Sequence, residues 1–308
     1  MNAVPLASTR PLGPPLLVPA LLACYLIWGC TYLAIRVALP GFAPFFQMGS
    51  RFLTAGLQLM LWVVARGHAL PTRREWRNAW VIGALMLGGG MGLTANASAH
   101  IGSGLVATFV AAVPMMVSAW GRLWGQRPTR LELLGMVVGL AGVLLLVQGS
   151  SFAAAPQGMA CMVGATVLWS LGSVLSTAKS AQEKFKLPLA AGPAGFASEM
   201  LCGGAVLMLI SLALGEPVPF STGGPPPTQA LAAWLYLVVF GSLIAFSAYL
   251  YLLAHASAAL ATSYAFVNPV IALFLGVVAA GEVVTAAEWI SCGVVLLGVV
   301  LIFRGKTA

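Results

Sequence analysis

Residues 125–143 read GQRPTRLELLGMVVGLAGV, and residues 281–299 read GEVVTAAEWISCGVVLLGV. Laid on each other, Gly125, Thr129, Glu132, Gly142 and Val143 coincide with Gly281, Thr285, Glu288, Gly298 and Val299 at an offset of 156. The first stretch leaves a connector rich in breakers, Gly125-Gln126-Arg127-Pro128, and enters a long apolar run. The second does the same close to the end of the chain. Self-similarity at a fixed spacing is the signature of an internal repeat.

Working outward, the match extends in chain order. Ser50-Arg51-Phe52-Leu53 through Leu59-Met60-Leu61 aligns with Ser198-Glu199-Met200-Leu201 through Leu207-Met208-Leu209 at an offset of 148. His100, Leu105 and Pro114 align with His255, Leu260 and Pro269 at 155, and Trp28 with Trp169 at 141. Leu matches count for little in sequence this apolar; the His, Trp, Glu, Pro and Thr matches carry the argument. Differences in loop length account for the drift in offset.

The chain of 308 residues is 60% apolar and 7% charged, with no Asp and seven Glu against fifteen Lys and Arg. Soluble domains run near 25% charged, so a water-solvated surface of this size is excluded. Runs of about 20 mostly apolar residues, the length that crosses a bilayer, fall at 16–35, 43–65, 79–98, 102–121, 131–149, 157–178, 191–214, 229–250, 257–280 and 285–303. The last two are barely separated, and the repeat resolves them as two. The reading is an all-α integral membrane protein of ten transmembrane helices. The apolar run through Leu21-Leu22-Ala23-Cys24 continues past that cysteine and reads as uncleaved helix.

A net charge of +8 invites a nucleic-acid reading, but the charge lies in short segments between apolar runs. With the N-terminus inside, Arg10, Arg66, Arg73, Arg74, Arg77, Arg122, Arg127, Arg130, Lys179, Lys184, Lys186, Arg304 and Lys306 all fall on the inner side. Arg36 alone lies outside, and Arg51 lies within a helix. The positive-inside rule puts both termini in the cytoplasm, of an inner-membrane, multi-pass protein. Each repeat, 1–149 and 157–308, then holds five helices. Five is odd, so the second half enters the membrane inverted, the common architecture of secondary transporters.

The two quoted stretches resemble the closing helix of an EamA repeat. Ser50-Arg-Phe-Leu-Thr-Ala-Gly resembles its second helix, and Leu260-Ala-Thr-Ser-Tyr-Ala-Phe-Val-Asn-Pro-Val its fourth. The resemblance covers nearly the whole chain and implies a member of the drug/metabolite transporter superfamily. Gln126 stands where Glu is usual in that pattern; Glu282 keeps it. The resemblance also implies that helices one, three, four, six, eight and nine surround a central cavity.

Charges inside a bilayer are costly and mark candidate sites. Arg51 and Glu199 qualify, at repeat-related positions that inversion places at opposite depths, so a mutual ion pair is not expected. Arg51 reads either as an anion contact through its forked donors or as a structural arginine. Glu199 reads as a proton-carrying site or as a hydrogen-bonded structural carboxyl. Tyr25, Trp28 and Tyr32 share one face of helix one, and Thr166, Trp169 and Ser173 repeat that spacing on helix six. They are either a packing stripe or a cavity wall; both tryptophans lie too deep for an interfacial belt. Thr94 and Asn96, Thr108, Ser242 and Ser247, and Tyr264 and Asn268 are further polar groups on the supposed cavity helices, and interhelical glue is the competing role. A helix broken at Asn268-Pro269 would free a carbonyl near a substrate. Gly88-Gly89-Gly90-Met91-Gly92 predicts close backbone approach or a bend. His100 and His255 read as helix-turn residues.

Nothing supplies an enzyme's constellation: no P-loop, no nucleophile elbow, no His-rich helix. Cys24, Cys30, Cys161, Cys202 and Cys292 have no metal-ligand spacing, so neither metal nor cofactor is expected. Helix one lacks the carboxylate wanted by a multidrug cation–proton antiporter, and no basic cluster suits a nucleotide-sugar-like carrier. The expectation is a secondary transporter exporting amino acids or related small metabolites by alternating access. Its partners are the substrate and the lipid bilayer, with no nucleic acid, and a monomer suffices.

Overall fold

Backbone N–H and C=O groups in a lipid environment must be satisfied within their own segment, which favours helix wherever an apolar run crosses. The computed structural model describes residues 16–101, 106, 109–123, 125, 127–146, 156–177, 189–219, 224–280 and 285–307, all helices and connectors with no strand among them. In chain order the helices are α1 (Leu17–Ala38), α2 (Pro44–Ala65), α3 (Arg73–Ser98), α4 (Val113–Leu123), α5 (Arg130–Leu146) and α6 (Pro156–Thr177). They continue with α7 (Gly192–Ala213), α8 (Thr228–His255), the short α9 (Ala258–Thr262), α10 (Tyr264–Ala280) and α11 (Ala286–Thr307). Among the described residues six helices, α1, α2, α3, α6, α7 and α8, are each long and apolar enough to cross a membrane, with shorter apolar helices beside them. The protein is a multi-pass membrane protein.

Local chemistry explains where helix ends depart from the apolar runs. α3 starts at Arg73, ahead of the run at 79, because Thr72 and Glu75 form a reciprocal cap. Glu75 N donates to Thr72 Oγ1 at 3.3 Å and Thr72 N donates to Glu75 Oε2 at 2.7 Å. Such a cap satisfies backbone donors that the first turn leaves free. Thr129 and Glu132 repeat the device at α5, with bonds of 2.8 and 3.1 Å. At α2, Phe45 N and Phe46 N donate to Glu216 Oε1 and Oε2, 3.1 and 2.7 Å away, so a carboxylate from the connector after α7 caps a helix of the first half.

Two seams run through the bundle. In the first, α2 lies against α7: a Cβ on Gly49 would meet Met208 Sδ at 2.7 Å, one on Gly204 would meet Leu53 N at 2.9 Å, and one on Gly56 would meet Leu201 N at 3.0 Å. As α2 numbers rise, α7 numbers fall, so the helices are antiparallel. In the second, α5 lies against α11: a Cβ on Gly135 would meet Gly298 O at 2.6 Å, one on Gly298 would meet Gly139 N at 2.5 Å, and one on Gly142 would meet Val295 N at 2.8 Å. This pair is antiparallel too. Small residues let backbones approach where lipid supplies no hydrophobic drive between helices. Both seams join helices whose sequences align with each other.

α3 and α8 each change to π-helix midway, at Ala84–Met91 and at Leu237–Phe246. The wide turn in α3 contains Gly88, Gly89 and Gly90 of the glycine cluster, where neighbours approach closely. The helix geometry changes, and Leu168, Trp169 and Val206 press on Gly89, Gly90 and Gly88. The ninth apolar run corrects one expectation: the break falls at Ser263, between α9 and α10, while Pro269 lies inside α10. Ser263 Oγ donates back to Leu260 O at 2.7 Å and Phe266 N to Ser263 O at 3.1 Å, which stabilises a turn there.

Candidate functional site

α1 and α6 bring their aromatic faces together in the middle of the bundle. The Trp28 and Trp169 rings meet edge to face, with centroids 5.7 Å apart. Tyr249 of α8 and Tyr264 of α10 complete a cluster: Trp28 lies 5.2 Å from Tyr249 and 4.6 Å from Tyr264, and Trp169 stacks on Tyr249 at 5.4 Å. Phe246 closes one side, 6.4 Å from Trp169. Offset and edge-to-face pairs of this kind contribute about 0.5–1.5 kcal/mol each beyond their buried area.

Backbone geometry sets these rings. Gly90 lies in the α3 wide turn, and a Cβ there would meet Trp169 Cε3 at 3.0 Å, so glycine allows the indole to lie flat on α3. Trp28 Nε1 donates to Gly241 O at 3.2 Å, inside the wide turn of α8. Trp169 Nε1 lies close to the Tyr249 and Tyr264 hydroxyls but is buried without a hydrogen bond. π-helical turns recur at functional sites because they re-aim side chains.

A cavity adjoins the cluster, lined by Trp28, Thr31, Tyr32, Thr94, Thr166, Trp169 and Tyr264 together with Gly90, Met91, Val110, Val113 and Ala165. No lining residue is charged. Its enclosed space, ≈ 40 Å³, is room for a few waters. Thr94 and Thr166 turn their hydroxyls onto carbonyls one turn back, Gly90 O and Met162 O, at 2.7 and 2.9 Å.

The other sequence-predicted residues distribute around this centre. Tyr25 OH lies 2.6 Å from Ser263 Oγ, at the α9–α10 turn. Asn268 Nδ2 donates to Tyr32 OH at 3.4 Å, linking α10 to α1, and its Oδ1 is buried without a partner. Ser173 Oγ lies 2.8 Å from Tyr249 OH, holding that ring against Trp169. Asn96 is separate from the cluster, its Nδ2 directed at Cys161 Sγ, 3.4 Å away. Thr108 lies outside the described residues. Tyr249, Phe246 and Thr31 were not expected. Ser242 and Phe246 lie within the α8 wide turn and Tyr249 just after it, so a regular helical count across them does not pick out the two rings.

Arg51 and Glu199 are both buried. Arg51 Nε donates to Ser242 Oγ at 2.7 Å, Nη1 approaches Met48 Sδ at 3.6 Å, and the guanidinium lies over the Phe52 ring at 4.7 Å. A Cβ on Gly241 would meet Arg51 Nη2 at 2.7 Å. Arg51 therefore grips the α8 wide turn from one side, while Trp28 grips it from the other. The Glu199 backbone packs on α3, where a Cβ on Gly83 would meet its carbonyl oxygen at 2.7 Å, and its Oε2 is buried without a hydrogen-bond partner among the described residues. No group of three His, Cys or Glu placed to hold a metal occurs among the described residues.

This architecture has counterparts among known proteins. The EamA-like transporter family model matches residues 16–148 and again 156–304. The uncharacterized inner membrane transporter YedA of Escherichia coli is 38% identical over 288 residues, covering 93% of this chain and 90% of its own. Protein PecM of Dickeya dadantii is 27% identical over 279 residues, covering 90% of this chain and 86% of its own. A solved crystal structure shares the fold at a TM-score of 0.74 and 22% identity, across 95% of this chain and 99% of that one.

Proposed function

The chain belongs to the EamA-like transporter family, and from that premise we propose that it exports amino acids or similar small metabolites by alternating access. Its membrane is the inner membrane, as for the relative YedA. The architecture of the proposal is ten spanning helices in two inverted five-helix repeats, 1–149 and 157–308, with both termini cytoplasmic. Three observations support it. The family model matches the chain twice. Two seams pair sequence-equivalent helices in antiparallel sense, α2 with α7 and α5 with α11. The wide turns of α3 and α8 begin at equivalent places, 84 and 237.

The observation that carries the transport reading is the meeting of Trp28 and Trp169. One comes from each half, and they line a single cavity where the halves touch. Inverted-repeat carriers bind substrate at the repeat interface near the midplane. An uncharged wall of rings and hydroxyls suits a small amphipathic solute. The rings now touch, so a substrate is admitted by parting them, which couples its binding to movement between halves. Tyr25, Tyr32, Ser173, Tyr264 and Asn268 support this wall; Asn96 is retained only as a more distant candidate, and Thr108 as one outside the described residues. Arg51 is given a structural role against α8, and Glu199 a proton-carrying one.

The test is counterflow in proteoliposomes with a panel of radiolabelled amino acids. Exchange of at least one is expected. If folded, reconstituted protein exchanges none of them, the substrate class is wrong.

A further inference from the structure

A second cavity lies away from the aromatic cluster, at the end of the bundle assigned to the cytoplasm. It measures ≈ 320 Å³ and is lined by Ser118, Gly121, Arg127, Pro128 and Glu132 from the first half, and by Leu253 and Ala256–Ala259 from the second. The walls are thus the end of α4 and the start of α5 on one side, and the α8–α9 turn on the other. Pockets that hold small molecules begin at about 300 Å³.

Its polar groups are of two signs. Glu132 is 4% exposed. Its Oε2 accepts from Thr129 N at 2.8 Å, while its Oε1 is buried and finds no hydrogen-bond partner among the described residues. A buried carboxylate oxygen without a partner loses its hydration uncompensated, and an ammonium group delivered by a ligand would restore it. The exposed Arg127 lines the same wall of the cavity, and the α8–α9 turn closes the other side. The Arg fork matches the geometry of a carboxylate.

We propose that this cavity is a cytoplasmic loading site for a zwitterion, in which Glu132 takes the ammonium group and Arg127 takes the carboxylate. This rests on the exporter reading above and adds a first stop to it. Val113 lines the aromatic cavity and Ser118 lines this one, roughly 7 Å apart along α4 by helical rise. The buried residues Val117, Leu250 and Leu260 stand at intervening positions. A solute held at Glu132 therefore waits one or two turns from the Trp28–Trp169 cluster, behind an apolar layer. The cavity opens between the halves, so a free amino acid is the intended source of the chemistry, and the headgroup of an ethanolamine lipid is the competitor.

The experiment is equilibrium binding of radiolabelled alanine, threonine and phenylalanine to the purified full-length protein in phosphatidylcholine nanodiscs. At least one is expected to bind saturably. Glu132→Gln keeps an acceptor for Thr129 N, and Arg127→Gln changes an exposed residue. Each is expected to weaken binding at least tenfold, while Glu75→Gln at the distant α3 cap leaves it unchanged. The Arg127 variant decides the matter if the Glu132 variant does not fold. Unchanged affinity in the variants, or no binding of any of the three, overturns the site. So does binding of phosphoethanolamine alone through these residues, which would make it a lipid site. Counterflow separates this proposal from the exporter reading. Exchange with binding indifferent to Glu132 and Arg127 removes the loading site and leaves the exporter; binding that depends on them without exchange does the reverse.

Discussion

Arg51 Nε lies 2.7 Å from Ser242 Oγ, so the one guanidinium buried in α2 is tied to the wide turn of α8 by a neutral hydroxyl and not by a carboxylate. Hydrogen bonds to charged groups contribute about 1.5–3 kcal/mol, and a buried donor left alone costs more than one removed with its partner. Ser242→Ala is expected to lower the unfolding midpoint in detergent. Arg51→Met combined with Ser242→Ala is expected to recover most of that loss, since apolar replacement of a buried charge is often neutral or stabilising. A double-mutant cycle on thermal midpoints checks it; additive losses would mean the two residues do not act together.

Trp169 supplies both a ring and an unpartnered N–H at the cavity. Trp169→Ala is expected to reduce transport at least tenfold with normal amounts of protein in the membrane. Trp169→Phe keeps a ring and loses the donor, and should fall between. Initial rates of counterflow, normalised to reconstituted protein, are the measurement. Wild-type rates in the alanine variant would return the indole to a packing role.

An all-helical, multi-pass membrane protein was legible in the sequence, and the reason is physical: burial in lipid requires long apolar runs. The glycine seams also left a trace, in Gly135, Gly139, Gly142 and Gly298. The wide turns left little: apart from Ser242, Ala84–Met91 and Leu237–Phe246 carry no polar side chain, so no polar stripe marks their change of period. Asn96 was singled out only for lying on helix three, and it reaches Cys161 while Thr94, two residues earlier, lines the cavity. Tyr249 and Phe246 sat in an apolar run where one more aromatic carries no contrast. The break at Ser263 was masked by Pro269, the stronger sequence signal, which α10 accommodates internally.

Glu216 joins the halves through backbone donors of α2. Glu216→Ala should cost about 1 kcal/mol, the usual scale for a lost helix cap, and Glu216→Gln less, because one acceptor remains. Thermal unfolding of both variants measures this. Equal midpoints for wild type and the alanine variant would show the cap to be idle.

Sidedness gives a further expectation. In a cysteine-free background, single cysteines replacing Arg73 and Arg304 should react with an impermeant maleimide only from the cytoplasmic face, and one replacing Arg36 only from the opposite face. Labelling of Arg73 and Arg304 positions from different faces would break the inverted arrangement.

Gly298→Ala should be poorly tolerated, because the new methyl group would stand 2.5 Å from Gly139 N and 2.7 Å from Gly135 O. Overpacking of this kind costs about 1–3 kcal/mol. Gly293→Ala, five positions earlier on the same helix and with nothing within 4 Å, should be neutral or slightly stabilising. Comparing the two by size-exclusion profile after heating isolates contact from helix propensity.

The contact between α5 and α11 has a mechanical consequence. Where two backbones touch with no side chain between them, neither helix can slide past the other by a fraction of a turn without collision. In the proposed alternating access, the motion that turns the aromatic chamber from one compartment to the other must carry these two helices as a single spar. The remaining helices would swing about it, and a chemical staple across Gly139 and Gly298 would leave turnover intact.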